Sequence, residues 1–284
     1  MKGQIVKIIS NLYTVNCDGT FYDCHSRGKF RNDKITPVVG DYVIIDEKNK
    51  YILEVEPRKN RLIRPVVSNI DQGLIITSVK IPDFSTNLLD KLITLMEIND
   101  VEPIICFTKM DLLDKDEELE IFNYIHYYQK IGYKVFINTE IDKIKKIFRD
   151  KTTVFTGQTG AGKSSLLNKL NPHLDFQTGE VSQALGRGRH TTRHVELVEL
   201  FGGKVLDTPG FSSLEFNNID KLDIRDSFVE FSLHPCKFKD CMHLNEKECL
   251  VKKLVTDKKI LKSRYENYVN FVRSYESSNI VFKK

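Results

Sequence analysis

The segment Gly157–Ser164 reads GQTGAGKS and fits the pattern G-x-x-x-x-G-K-S, which constrains the fold of this chain more than any other feature. It follows an apolar run, TTVFT, and precedes a helical pattern, SLLNKL. A strand, a glycine-rich turn and a helix in this order form a P-loop, in which backbone N–H groups and the helix N-terminus surround phosphate oxygens. In that geometry Lys163 would neutralise the β- and γ-phosphates, and Ser164 would ligate magnesium. The residues expected at the phosphates are Gly157, Gln158, Thr159, Gly160, Ala161, Gly162, Lys163, Ser164 and Ser165.

A second motif, DTPG at Asp207–Gly210, follows the apolar strand pattern KVLD, which itself comes after a Gly202-Gly203 turn. In a P-loop domain an acid at this position lies on the magnesium side of the phosphates, and the N–H of Gly210 can reach a γ-phosphate. The pattern D-x-x-G is common by itself. Its combination with the P-loop motif predicts a nucleoside triphosphate site.

The tetrapeptide TKMD at Thr108–Asp111 follows the apolar strand pattern PIICF. The Asp111 carboxylate can accept two hydrogen bonds, from N1–H and from the 2-amino group of guanine, whereas adenine carries neither donor. The position therefore favours GTP over ATP, with Thr108, Lys109 and Met110 expected beside the base. The alternatives are an ordinary loop in which Asp111 pairs within the protein, and an ATPase with the same P-loop.

The order of these motifs indicates a circularly permuted domain, because TKMD precedes the P-loop whereas ordinary GTPases run in the opposite order. Permutation is physically tolerable since the termini of a domain often lie close together on its surface. From Gln72 onward, near-continuous apolar runs alternate with helical patterns, which predicts an α/β fold with a parallel sheet. The runs are GLIITSV, VEPIICF, YKVFIN and TTVFTG, and the helical patterns are TNLLDKLITLMEIND and KDEELEIFNYIHYYQKIG.

Residues 1–64 read as five short strands separated by turn signals, which predicts a small β-barrel such as an OB-fold. This part holds 12 Lys and Arg against 8 Asp and Glu, and residues 251–284 hold 9 against 3. Basic ends on a chain of net charge +4 suit contact with a polyanion, although solvated faces explain them equally well. The chain lacks a signal-peptide pattern, and no apolar run approaches the ~18 residues of a membrane span, so we expect a cytoplasmic protein without a membrane partner.

With these motifs the chain resembles the RsgA family, also called YjeQ, of circularly permuted GTPases that act on the small ribosomal subunit. The resemblance covers essentially the whole chain and rests on VSNIDQ at Val67–Gln72, TKMD, GQTGAGKSSLLN, GRGRHTT at Gly186–Thr192, DTPGF and a terminal Cys/His cluster. It implies an N-terminal OB-fold over residues 1–64, a permuted GTPase domain over 65–217 and a zinc-binding helical segment over 218–284. It also implies binding to the small subunit and its rRNA, a role in late maturation, subunit-stimulated hydrolysis, and GTP or GDP, magnesium and zinc as ligands.

The family pattern places the first switch in residues 182–194, where Thr192, or Thr191, would ligate magnesium and sense the γ-phosphate. Phe211 follows DTPG where Ras-like enzymes carry a water-orienting glutamine, and a phenyl ring cannot orient water. His190 is the nearest suitable side chain, and in the resembled family a switch histidine is proposed for this role. The alternative is that His190 packs or contacts RNA beside the arginines of the same segment, since imidazole suits both roles.

Two departures from the family pattern concern the base pocket. The family usually carries Asn where this chain has Thr108, and the Thr hydroxyl keeps a donor and an acceptor. Guanine selectivity is therefore expected to survive with weaker affinity. The second base-pocket loop falls near INTE at Ile137–Glu140, which matches the usual Ser-Ala poorly, and no role is predicted for it.

Four potential metal ligands lie within a short span near the C-terminus. Three thiolates and one imidazole form the closed tetrahedral set of a structural zinc site, here Cys236, Cys241, His243 and Cys249. His234 is close by, and His243 is preferred because it fits the spacing of the resembled family. The alternatives are free buried thiols and, less readily in a reducing compartment, disulfides. Zinc would fold a segment too small to hold a core of its own.

The motifs and the resemblance together favour a GTP hydrolase, acting as a monomer, whose nucleotide state controls its binding to ribosomal RNA. Because DTPG leads into the C-terminal segment, switch movement after loss of the γ-phosphate is expected to reach the zinc-binding part. The alternative, from a different class, is a nucleotide-gated RNA-binding assembly factor with negligible turnover. The presence of Phe211 in place of Gln mildly favours that alternative.

Overall fold

The N-terminal strands close into a five-stranded barrel because the first and fourth of them pair. The computed structural model of the chain describes residues 1–28, 30, 35–63, 66–171, 195–207 and 219–281. The barrel strands are β1 (Lys2–Ile9), β2 (Leu12–Cys17), β3 (Thr20–Ser26), β4 (Tyr42–Asp46) and β5 (Tyr51–Val55). Their order is β1-β2-β3-β5-β4, and β4 returns to β1. Alternate side chains of β2 fill the interior, among them Tyr13 and Val15. The OB-type barrel predicted from the sequence is confirmed.

A short hairpin and a buried ion pair connect the barrel to the following sheet. The hairpin consists of β6 (Arg61–Ile63) and β7 (Val66–Ser68). Arg58 donates to both carboxylate oxygens of Asp41 at 2.7 Å each, and Ser68 donates to the same carboxylate at 2.6 Å. Asp41 is fully buried and Arg58 is half-buried, so the charge of Arg58 is already neutralised by a partner within the protein.

The second group of strands forms a mainly parallel sheet with helices on both faces. The strands are β8 (Gln72–Ser78), β9 (Glu102–Thr108), β10 (Lys134–Ile137), β11 (Thr152–Gly157), β12 (Glu196–Leu200) and β13 (Gly203–Asp207), in the order β10-β9-β8-β11-β13-β12. All of these pair in parallel except β12, which is antiparallel to β13. The covering helices are α1 (Thr86–Ile98), α2 (Lys115–Lys130), α3 (Ile141–Lys146) and α4 (Lys163–Leu170).

Successive residues of the central strands face two different cores, which explains their near-continuous apolar sequences. Ile75 and Ile105 pack in one core with apolar side chains of α1 and α2. Leu74 and Ile104 pack in the other core with those of α3 and α4. Both faces of β8 and β9 are therefore buried, as the sequence predicts for an α/β fold.

Pairing of β1 with β12 joins the strands of the barrel and those of the parallel sheet into one continuous hydrogen-bonded sheet. Lys7 lies opposite Glu196 there, and the Lys7 Nζ is 2.7 Å from a carboxylate oxygen of Glu196. Lys204 of β13 donates to Gln4 Oε1 at 2.5 Å. The barrel thus contacts the β12–β13 hairpin directly.

The C-terminal part consists of helices that pack around an apolar cluster of their own. The helices are α5 (Lys221–Asp226), α6 (Val229–Ser232), α7 (Leu250–Thr256) and α8 (Lys262–Val281). Phe228 and Tyr268 lie at the centre of this cluster with their rings edge to face. No helix in the described part of the chain is both long enough and apolar enough to cross a membrane.

A buried ionic network joins the C-terminal helices to the parallel sheet domain. Arg264 of α8 donates to both carboxylate oxygens of Glu230, at 2.8 and 2.9 Å, and to Asp90 of α1 at 2.9 Å. Asp90 also accepts from Tyr128 at 2.6 Å and from Asn267 at 2.6 Å. All three charged groups are essentially inaccessible to solvent. The network therefore holds α8 against α1 by charge as well as by apolar packing.

Candidate functional site

The three nucleotide motifs lie at one edge of the parallel sheet. The P-loop begins at the end of β11, TKMD begins at the end of β9, and DTPG begins at the end of β13. These strands run in the same direction, with β13 directly beside β11 and with β8 between β11 and β9. Ligands of open parallel sheets bind at this carboxyl edge. The structure thus brings together motifs that the sequence separates by up to about a hundred residues.

The P-loop glycines occupy positions that a side chain would disturb. Gly157 has a φ of +136°, and a Cβ there would lie 2.0 Å from the carbonyl oxygen of Ile76. Gly162 has a φ of +92° and caps the N-terminus of α4. Only glycine adopts these backbone conformations without strain. The loop therefore passes close to β8 and leads through Gly162 into the N-terminus of α4.

Lys163, the first residue of α4, folds back over the loop. Its ammonium group donates to the carbonyl oxygens of Gly157 and Gln158, at 2.8 Å each. Burial lowers the pKa of Lys163 because the ammonium ion loses water. A phosphate in the loop would replace that water with an anionic partner, which is the role predicted for this residue.

Thr108 joins the base-reading loop to the P-loop. Its hydroxyl donates to the carbonyl oxygen of Ala161 at 2.6 Å, and the side chain is buried. A Cβ on Gly162 would lie 3.8 Å from this hydroxyl, which is ordinary van der Waals contact. The donor and acceptor that the Thr108 hydroxyl retains thus connect the base-reading loop to the P-loop.

We predict that Thr108→Val weakens binding of GDP and GTP about tenfold, because the buried Ala161 carbonyl loses its donor at a cost of about 1–2 kcal/mol. Fluorescence titration with a labelled guanine nucleotide measures the change. Thr108→Ser keeps the hydroxyl and is the matched control. Equal loss of affinity in both variants would mean that the methyl group, and not the hydrogen bond, supports the pocket.

Lys109 is a second bridge between loops, whereas the sequence predicts it only beside the base. It has a left-handed φ of +63°, and its ammonium group donates to the carbonyl oxygens of Ile81 and Gly160, the latter at 2.8 Å. The segment after β8, the P-loop and TKMD are therefore tied through one side chain. The contact with Ile81 could not be predicted from the sequence, because every residue has a backbone carbonyl that can accept a hydrogen bond.

Asp111 lies in a 3₁₀ turn, Met110–Leu112, and its side chain is exposed at the sheet edge. The loop Ile137–Glu140 follows the neighbouring strand β10, and the N–H of Asn138 donates to the carbonyl oxygen of Phe107 at 2.9 Å. Glu140 accepts from the N–H of Ile137 at 3.0 Å and so closes this loop on itself. The loop thus stands beside TKMD.

Several predicted site residues lie outside the described part of the chain. These are His190, Thr192 and Gly210, together with Thr191 and Phe211. For Asp207 the structure describes the backbone, which ends β13 and pairs with Glu196. The roles predicted for Asp207 and for these undescribed residues, at the phosphates and at magnesium, stay predictions.

The four predicted metal ligands converge within the C-terminal helical part. Their ligand atoms, from Cys236, Cys241, His243 and Cys249, all lie within 4.8 Å of one another. The Nδ1 atom of His243 is 3.4 Å from the sulfurs of Cys241 and Cys249, and the sulfurs of Cys236 and Cys249 are 3.8 Å apart. A tetrahedral site with Zn–S bonds of about 2.3 Å has sulfurs about 3.8 Å apart, so the residues fit zinc.

The protonation of this ligand set is compatible with metal binding. Burial raises the pKa of the Cys241 thiol to about 12, so zinc would have to displace its proton. Burial also disfavours the Cys236 thiolate, but hydrogen bonds from the N–H groups of Val251 and Leu250 lower its pKa overall. Burial lowers the pKa of His243, which keeps the imidazole neutral and able to coordinate. The hydroxyl of Tyr265 donates to the His243 carbonyl at 2.7 Å and fixes this residue against α8.

Comparison with known proteins extends these similarities over the whole chain. Residues 55–217 match the family model described as RsgA GTPase, and residues 2–51 match the model of the RsgA N-terminal domain. "Small ribosomal subunit biogenesis GTPase RsgA" of Enterococcus faecalis is 44% identical over 292 residues, covering 100% of this chain and 98% of the relative. The protein of the same name from Bacillus subtilis is 46% identical over 286 residues, covering 95% of this chain and 96% of the relative.

The fold of this chain also matches the folds of solved structures. YloQ, described as a circularly permuted GTPase, matches with a TM-score of 0.83 and 41% identity, covering 98% of this chain and 95% of that chain. YjeQ from Thermotoga maritima matches with a TM-score of 0.83 and 36% identity, covering 96% and 97%. The description of YloQ as circularly permuted agrees with the order of TKMD and the P-loop in this chain. The chain therefore belongs to the RsgA family of GTPases.

Proposed function

We propose that this GTPase binds the small ribosomal subunit through its rRNA, assists late maturation of the subunit, and leaves it when GTP has been hydrolysed. The observation that carries the proposal is the full-length similarity to relatives named small ribosomal subunit biogenesis GTPase. The basic surplus of the N-terminal 64 and C-terminal 34 residues supports contact with a polyanion at both ends. Action on the subunit would place the protein in the cytoplasm, where we expect it to work as a monomer.

In this proposal the P-loop would hold GTP in place for in-line attack of water on the γ-phosphate. Lys163 would neutralise the β- and γ-phosphates, and Ser164, Asp207 and Thr192 would hold magnesium, which neutralises developing charge on the phosphate oxygens. Gly210 would bind the γ-phosphate through its N–H. Orientation of the attacking water falls to His190, since Phe211 offers no polar group.

The proposed base contact is tested by changing which base the pocket accepts. Asp111→Asn replaces two acceptors with one acceptor and one donor, which suit the N1–H and the 2-carbonyl of xanthine. We predict a loss of GTP affinity of about 100-fold or more and a gain of XTP hydrolysis, measured as phosphate release. Asp114→Asn, in the helix cap next to the loop, is the control and should leave nucleotide choice unchanged.

Release from the subunit would follow from loss of the γ-phosphate contacts with Thr192 and Gly210. DTPG precedes α5 in the chain, and the Cys/His cluster lies between α6 and the start of α7, so movement of this motif would be transmitted to the metal site through α5 and α6. The proposal requires different subunit affinities for the GTP and GDP forms. Equal affinities in a sedimentation assay would overturn it.

A nucleotide-gated assembly factor with negligible turnover is the second candidate, favoured by Phe211 at the usual glutamine position. Phosphate release from GTP and ATP, with and without purified small subunits at two salt concentrations, separates the two. Strong, salt-sensitive stimulation with GTP alone supports the subunit-activated GTPase and makes His190 the first residue to replace. Tight GTP binding without stimulation supports the gated factor.

A further inference from the structure

Phe238 is an aromatic side chain presented to solvent by the metal-binding loop. Its exposed fraction is 56%, whereas most phenylalanines of the described chain are buried or partly buried. It lies between the ligands Cys236 and Cys241, in the sequence KFKD. A large apolar ring left in water on a loop held at both ends is a feature that folding alone does not require.

The backbone around Phe238 is fixed although the ring is exposed. The N–H of Cys241 donates to the Phe238 carbonyl at 3.3 Å, and Arg225 donates to the Lys239 carbonyl at 3.2 Å. With zinc bound, Cys236 and Cys241 would be held to the same ion, which leaves only four residues between two fixed points. Little conformational freedom would then be lost when the ring meets a partner.

The charges next to the ring are positive and accessible. Lys237 and Lys239 flank Phe238, and both are exposed. The Lys237 ammonium lies 5.6 Å from the ring centroid, and its ion pair with Glu248, at 3.8 Å, is long and exposed. Such pairs contribute little and exchange readily for another anion. The acids between Cys236 and Cys249 are Asp240, Glu246 and Glu248. Asp240 and Glu248 are exposed, whereas Glu246 accepts hydrogen bonds from the N–H groups of Met242 and Leu244 at 2.7 Å each.

We propose that Phe238 stacks on an unpaired base of the RNA partner while Lys237 and Lys239 contact the adjoining phosphates. An aromatic ring accepts any base on its free face, and cations beside it hold the backbone, which is how single-stranded RNA is bound without sequence readout. The proposal rests on the proposed function, since it names the group through which the C-terminal part contacts rRNA. A protein partner would use the exposed ring without a need for two flanking lysines.

The chain contains no tryptophan, so Phe238→Trp places a single fluorescent reporter at the site. Stacking on a base quenches indole emission, and we expect strong, saturable quenching by a short mixed-sequence single-stranded RNA and by small subunits. The same RNA annealed into a duplex should quench much less, because its bases are not available. Leu119→Trp, at a side chain 66% exposed on the acidic helix α2, is the matched control and should stay unquenched.

The contribution of the ring is measured by subunit binding. Phe238→Leu should weaken binding about tenfold and Phe238→Tyr should retain it, since stacking needs an aromatic face. Zinc content determined for each variant separates this loss from loss of the metal site. A blue shift without quenching on subunit binding would assign the ring to a protein contact and overturn the proposal. Normal subunit binding by Phe238→Leu would also overturn the stacking proposal while leaving the proposed function intact. Absence of subunit binding by the wild-type chain would overturn both the stacking proposal and the proposed function.

Discussion

Replacement of Lys163 by alanine is expected to lower GTP hydrolysis about 100-fold or more and to weaken GTP binding. The ammonium group is partly buried over the P-loop, where it already contacts two backbone carbonyl oxygens of that loop. Removal of a preorganised cation from the place where phosphate charge develops typically costs a factor of about 10²–10³ in rate. Phosphate release and titration with a labelled GTP analogue measure the two effects.

Lys169→Ala is the matched control, since this residue lies in the last turn of the same helix and is exposed. It removes one positive charge from α4, as Lys163→Ala does, so an effect that came only from the net charge of the helix would appear in both variants. We expect Lys169→Ala to hydrolyse GTP normally. A Lys163→Ala protein with wild-type turnover would contradict the assignment of GQTGAGKS as the phosphate site.

Local spacing was sufficient to predict the parts of the site whose residues are close in sequence. The P-loop is one contiguous strand, turn and helix, and the four metal ligands fall between residues 236 and 249. Each of these sites depends on backbone geometry within a few residues, so residue identity carries most of the information. The barrel was predictable for a related reason, because β-branched and aromatic runs separated by turn residues indicate short strands from local sequence alone.

Contacts between distant segments could not be predicted in the same way. Lys109 binds two backbone carbonyls, and Arg58 pairs with Asp41 inside the protein, although both look like ordinary surface cations in the sequence. Arg264 sits in a basic C-terminal stretch that predicted a polyanion-binding face, yet its side chain has no exposed surface. A charged side chain is buried only where a partner of opposite charge contacts it. For Arg264 one such partner, Asp90, lies 174 residues away in the sequence.

Arg264→Met is expected to destabilise the docking of α8 on α1 by about 3–5 kcal/mol, because Asp90 and Glu230 would remain buried without their counter-charge. Both carboxylates accept hydrogen bonds from Arg264 at 2.8–2.9 Å, and the guanidinium also lies 4.4 Å from the ring centroid of Phe228. Although burial disfavours the cation, Glu230 and Asp90 raise the pKa of Arg264, so the group stays charged at every accessible pH. Thermal unfolding and amide hydrogen exchange of α8 measure the loss.

The loss should come from the orphaned carboxylates, and a neutral version of the network tests this. The triple variant Asp90→Asn, Glu230→Gln, Arg264→Met removes all three charges and should recover much of the stability that Arg264→Met loses. Lys262→Met, two residues before Arg264 and exposed on α8, controls for the new methionine. If Arg264→Met unfolded at the same temperature as Lys262→Met, the ionic network would not contribute to the stability of the fold. If it unfolded early and the triple variant did not recover, packing of the guanidinium against Phe228 and Tyr128 would be the stabilising contact instead of the charge.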